Sequence, residues 1–146
     1  EIIELGGQGM YRRFEYDVVR SRYDNNEKLI LLTGGSIVSE NKTYNFILNN
    51  YFTVWIKASP SEHMKRVLKQ GDSRPMGSNP RAMDDLNNIL NERTSLYSKA
   101  DVIIDTENIE ATHAYINFKS KLFNNWWFIT VHYIALSIGD NYDYIW

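Results

Sequence analysis

The sequence predicts an α/β fold: a parallel sheet with helices on both of its faces. Three observations point there. Short continuous apolar runs at residues 29–32, 51–56 and 102–104, each bounded by turn residues, read as strands buried on both sides. Segments of helical periodicity alternate with them. The connections are long enough for right-handed βαβ crossovers, which set helices against both faces of a sheet. At 146 residues the chain suffices for one domain with a real core.

Residues 8–23 read as the first helix, with Tyr11, Phe14, Val18 and Val19 on one face and Arg12, Arg13, Arg20 and Arg22 around it. Asp24, Asn25 and Asn26 end it. The strand at 29–32 runs directly into Gly34, Gly35 and Ser36. Ser39 is placed to cap a helix reaching about Asn49. After the strand at 51–56, Ser59 and Pro60 stand in the favoured N-cap and N1 order, with Glu62 in the first turn. That helix stops at Gly71. Residues 72–80, rich in Gly, Pro, Ser and Asn, form a loop. A long helix follows at 81–98, then the strand at 102–104, then a helix at 109–122 with Ala111, Tyr115, Phe118 and Leu122 apolar.

Composition excludes several classes. A net charge of −2 gives no general affinity for nucleic acid or anionic membrane. With no cysteine there is no disulfide or thiolate chemistry, which fits a cytoplasmic, reducing compartment. His63, His113 and His132 lack the spacing of a metal site, so no metal is expected. The first residues lack a signal-peptide pattern. No apolar run approaches the roughly 18 residues that cross a bilayer, and His132 interrupts the longest, 126–138. Residues 123–146 differ from the rest: they hold no Lys or Arg and three of the four tryptophans. Three readings stand for this tail: a genuine terminal helix or strand, out-of-frame or read-through sequence, or the end of an incomplete gene model.

The chemistry-bearing positions each carry a functional and a plain reading. Ligands of parallel sheets bind beyond the carboxyl ends of the strands, where Gly34–Gly35 and the Ala58–Ser59 turn fall. Glycines there let a ligand approach the backbone; equally they make a tight turn. Arg74, between Ser73 and Pro75, suits a lid arginine that clamps phosphate, or is a solvated loop residue. Arg12 and Arg13 share a helix with Glu15 and read as a solvated face. Arg93 lies one helical turn before Tyr97, placed to stack on its ring or to bind a carboxylate. His63 is expected at the surface or half buried, and Asp84 and Asp85 on a solvated face. A phosphoryl-transfer site needs a glycine-rich phosphate loop with a lysine, and no G-x-x-x-x-G-K-[ST] occurs.

Taken together, Tyr11-Arg12-x-x-Glu15, Thr33-Gly34-Gly35-Ser36-Ile37-Val38, Val54-Trp55-Ile56-Lys57-Ala58, Arg74-Pro75-Met76 and Arg93-x-x-x-Tyr97-x-x-Ala100-Asp101 resemble shikimate kinase over residues 8–106. The runs at 52–64 and 70–86 are also similar to the shikimate-kinase-like C-terminal domain of certain bacterial regulators. In those, a helix-turn-helix binds DNA and the kinase-like domain senses an effector such as an aromatic acyl-CoA.

The resemblance implies a three-layer α/β/α fold of the P-loop NTPase class. It implies that Arg12 and Arg93 grip a substrate carboxylate and that Gly34 and Gly35 line the same pocket. It assigns Arg74 and Arg66 to the nucleotide, and it implies ATP and magnesium as the family's cofactors. Ser36 stands where kinases carry a third glycine, and Met76 where they carry leucine. The family's first strand, phosphate loop and second strand have no counterpart in these residues. Strands 29–32 and 51–56 are thus expected to flank a vacancy two strand spacings wide, about 10 Å. The run 128–134 has the strand character to pair there in part.

The expectation is therefore a partial kinase-like domain at 1–122 and an atypical tail at 123–146, truncated at the N-terminus. Its expected role is the effector-sensing part of a regulator, catalytically inactive as it stands. It would take a small carboxylate or aromatic acyl-CoA, and would reach DNA only through a missing N-terminal domain. The alternative is a fragment of a true shikimate kinase.

Overall fold

The computed structural model describes residues 2–25, 29–69, 81–123 and 133–137. Five α-helices and four strands alternate along them: α1 (Ile2–Asp24), β1 (Ile30–Thr33), α2 (Asn41–Asn50), β2 (Phe52–Lys57), α3 (Pro60–Lys69), α4 (Ala82–Tyr97), β3 (Val102–Asp105), α5 (Ala111–Phe123) and β4 (Tyr133–Ser137). A 3-10 turn, Gly35–Ser39, joins β1 to α2. The first helix is two segments merged across a kink at Gly7, whose φ of 69° lies in the left-handed region that glycine tolerates.

The four strands form one parallel sheet in the order β1-β4-β2-β3. The last strand in sequence therefore stands between the first two, in the place where a vacancy is expected. Ala135 pairs with Leu32 on one side and Val54 on the other. The strand begins at Tyr133, so it shares only Tyr133 and Ile134 with the expected run; residues 128–132 lie outside the described residues.

Register fixes what each face presents, because paired residues of parallel strands point the same way. One face carries Leu31, Trp55 and Ile103. It packs with Val19 of α1, Ile37 and Val38 of the 3-10 turn, Tyr44 and Ile47 of α2, and Tyr97 of α4. The other carries Phe52, Val54, Val102 and Ile104, with Phe118 of α5 against them. A third cluster joins α3 to α4 through Met64, Val67, Ala82, Leu86 and Leu90. Polar atoms tie the sheet at its base. Asp101 Oδ2 accepts from both the backbone N–H and the hydroxyl of Thr53, at 2.7 and 2.8 Å, and Thr53 Oγ1 accepts from the Asp101 N–H at 3.0 Å.

Several expectations are corrected. The run 29–32 is not buried on both faces: Ile30 and Leu32 are 63% and 71% exposed. They lie at the sheet edge, beyond the part of that face which α5 covers over Phe52 and Val54. Phe14 and Val18 are likewise half exposed, so the apolar face of α1 is only partly used. Ser39 does not cap α2; the cap position is Glu40, with no side-chain bond, because residues 35–39 have already wound into the 3-10 turn. His63 is buried rather than at the surface, since it shares the inward face of α3 with Met64 and Val67. The stop at Gly71 and the loop at 72–80 lie outside the described residues.

Candidate functional site

The site is built where β1 and β2 end. Past Thr33 the chain turns at once, closed by a hydrogen bond from the Ile37 N–H to the Gly34 carbonyl at 3.2 Å. Gly34 has φ −66° and ψ 146°, which any residue adopts. What glycine supplies here is therefore the lack of a side chain at the mouth of the sheet, not a special backbone angle.

Helix α4 reaches this turn from one side. Tyr97, buried near its C-terminal end, donates from Oη to the Gly35 carbonyl at 2.8 Å. Its ring stacks on Trp55 of β2, with centroids 5.3 Å apart and planes at 20°. One turn earlier on the same helix stands half-buried Arg93, whose charge acts on the Tyr97 phenol. Burial pushes the Tyr97 phenol up, and the neighbouring Arg93 charge pulls partly against that rise. Tyr97 thus ties the Gly35 turn to the stretch of α4 that carries Arg93.

Helix α1 reaches the turn from the other side. Arg12 Nη1 donates to Glu15 Oε2 at 2.8 Å, and Tyr11 Oη donates to Glu15 Oε1 at 3.4 Å. Tyr11, Glu15, Thr33 and Gly34 border one cavity of about 270 Å³. The half-buried Arg12 is therefore not the solvated residue of the plain reading, and its charge is held by Glu15; a ligand carboxylate would compete with that carboxylate for it. Arg13 is exposed.

Unpaired polar atoms gather around the same turn. Among the described residues, Thr33 Oγ1, Ser36 Oγ and Trp55 Nε1 are buried without a hydrogen-bond partner. Buried polar atoms usually have one, so this end of the sheet has donors and acceptors to offer.

Arg66 belongs to a separate neighbourhood, where α3, β2 and β3 meet. Its Nε donates to Glu62 Oε1 at 3.1 Å, Nη1 to Thr106 Oγ1 at 2.9 Å and Nη2 to the Thr106 carbonyl at 2.7 Å. The Thr106 hydroxyl in turn donates to the Lys57 carbonyl at 2.8 Å. Arg66 borders two cavities of about 420 and 510 Å³, the first of them walled by Ile104, Tyr115 and Phe118. Arg74 lies outside the described residues. No group of three or more metal-capable side chains occurs among the described residues.

The roles of Tyr97, Trp55 and Thr106 were not legible in the sequence. The spacing of Arg93 and Tyr97 shows a shared helix face, but nothing local tells that the Tyr97 hydroxyl ends on a carbonyl 62 positions away.

The family described as "Shikimate kinase" matches residues 1–122 of this chain. A shikimate kinase of Aquifex aeolicus (strain VF5) is 29% identical over 107 residues, covering 73% of this chain and 61% of that protein. One of Synechococcus sp. (strain CC9605) is 31% identical over 113 residues, covering 76% and 56%. One of Caldicellulosiruptor saccharolyticus is 28% identical over 107 residues, covering 73% and 61%. The chain thus spans 56–61% of the length of these relatives. No solved structure gives a significant match. With more than four fifths of its length matched to one family, and with relatives that carry that family's name, the chain belongs to the shikimate kinase family.

Proposed function

We propose that this chain is the acceptor-binding part of a shikimate kinase, an enzyme that transfers phosphoryl from ATP to the 3-hydroxyl of shikimate. Arg12 and Arg93 would hold the shikimate carboxylate and Gly34 and Gly35 would line its pocket. The contact that carries this reading is the hydrogen bond from Tyr97, one turn after Arg93 on α4, to the Gly35 carbonyl. It links two widely separated motifs that the resemblance assigns to one ligand. In the same reading the fold is three-layered α/β/α, and β4 occupies the sheet position of the family's first strand. Residues 1–122 would then be a partial domain and 123–146 an addition that completes its sheet.

The nucleotide half is a different matter. Arg66, and Arg74 with it, would face the nucleotide, but Arg66 is already engaged by Glu62 and Thr106. These 146 residues contain no phosphate loop. They do not fit a magnesium–ATP complex, so the proposal for them is acceptor binding without transfer. The regulator reading rests on the wording of residues 52–64 and 70–86 alone, and nothing in the comparisons favours it.

The test is calorimetric titration of the 146-residue chain with shikimate and, separately, with an aromatic acyl-CoA. Shikimate binding that weakens at least about tenfold in Arg93→Ala, as expected for a lost charge-assisted pair, supports the kinase reading. Binding of the acyl-CoA alone would move the chain to the effector-sensing reading. No binding of either, or equal shikimate binding by both proteins, overturns the assignment.

A further inference from the structure

We infer that Tyr97 is a positioning residue for the acceptor pocket: its hydroxyl sets the distance between the Gly34–Gly35 turn and Arg93. This rests on the acceptor-binding reading above.

A pair of glycines has no side chains to wedge into a core, so its backbone hydrogen bonds must place it. The local bond here, Ile37 N–H to Gly34 O, is long at 3.2 Å. The second, Tyr97 Oη to Gly35 O, is 2.8 Å and comes from another element. Tyr97 is itself immobilised. It is 1% exposed and its ring lies flat on Trp55. The residue before it, Leu96, has its carbonyl taken by Tyr44 Oη of α2 at 2.6 Å. The phenol has one proton to give and lone pairs to receive. It donates to Gly35, and the Arg93 charge one helical turn away acts on the same phenol. One hydroxyl therefore fixes the wall of the pocket relative to the helix that carries the cation. A brace serving stability alone needs no partner in the pocket; this one ends on the two motifs that the proposed ligand would bridge.

The variant is Tyr97→Phe, which keeps the ring on Trp55 and removes only the hydroxyl. The measurements are shikimate affinity, the Gly35 carbonyl ¹³C shift and the exchange rate of the Ser36 amide in the unliganded chain. If the wild type binds shikimate, the variant is expected to bind about five- to tenfold more weakly, the worth of one hydrogen bond. The carbonyl shift and faster Ser36 exchange should accompany that loss. Unchanged affinity overturns the inference. If the wild type does not bind shikimate, the proposed function fails by itself. The inference is then decided by the unliganded measurements: altered Gly35 and Ser36 signals uphold a turn set by Tyr97, and unaltered ones overturn it. Should the variant not fold, the wild-type Tyr97 hydroxyl proton decides: slow exchange with solvent supports the bond to Gly35, and exchange at the rate of an exposed phenol refutes it.

Discussion

Single residues here act through hydroxyl groups placed at long sequence range. Tyr44, Tyr51, Thr53, Tyr97 and Thr106 each reach across the fold to a backbone or carboxylate oxygen. Two of these phenols make stability pH-dependent. Burial pushes Tyr44 up to about 12, with Tyr97 and Asp101 nearby adding to the rise, and burial raises Tyr97 in the same direction. A folded-state pKa above the unfolded value near 10 means that the folded chain holds the proton more tightly. The stabilisation is therefore whole below about pH 10 and is lost as pH climbs from there towards 12. Denaturant melts across that window should show a steady fall, with Tyr44→Phe flattening part of the slope. Little of this was readable beforehand. Arg93 and the glycine pair could be picked out by type and setting, whereas a tyrosine's partner depends on which strands end side by side.

At the level of elements, capping separates what a local pattern can and cannot foretell. The order Ser59-Pro60 with Glu62 in the first turn predicts the start of α3. There Ser59 Oγ accepts from the Glu62 N–H at 3.2 Å, while the Ser59 N–H donates to Glu107 Oε2 at 3.0 Å. That contact with Ser59 holds the Glu107 carboxyl below its usual range. Ser39 carries the same chemistry but stands inside a 3-10 turn, where its hydroxyl caps nothing. Ser59→Ala should therefore cost about 1 kcal/mol, and Ser39→Ala less than about 0.5 kcal/mol, both by urea denaturation. Equal losses would remove the distinction. The five helices and strands β1 to β3 were legible from apolar runs and periodicity. The burial of β1 was not, because a continuous apolar run looks alike in the middle of a sheet and at its edge, and only the strand order distinguishes the two.

For the molecule as a whole, the sheet depends on β4. It pairs with β1 on one side and β2 on the other, so its removal leaves two rows of backbone groups unsatisfied at the centre of the fold. A chain ending at Phe123 should lose cooperative thermal unfolding and aggregate at concentrations where the 146-residue chain stays monodisperse by light scattering. An unaltered melt would show β4 to be dispensable. The α/β class and the parallel strands followed from the alternation of runs. That a later segment enters the middle of the sheet was suggested by its β-branched and aromatic content, while its register needed the partner strands. This strand order has a consequence for biosynthesis. Residues 30–33 and 52–57 leave the ribosome long before 133–137 exist. The nascent protein must therefore carry an open seam until residues 133–137 emerge, and closing that seam joins segments about a hundred positions apart, the slow kind of contact to form. Holdase chaperones that shield apolar edges would find their target in that interval.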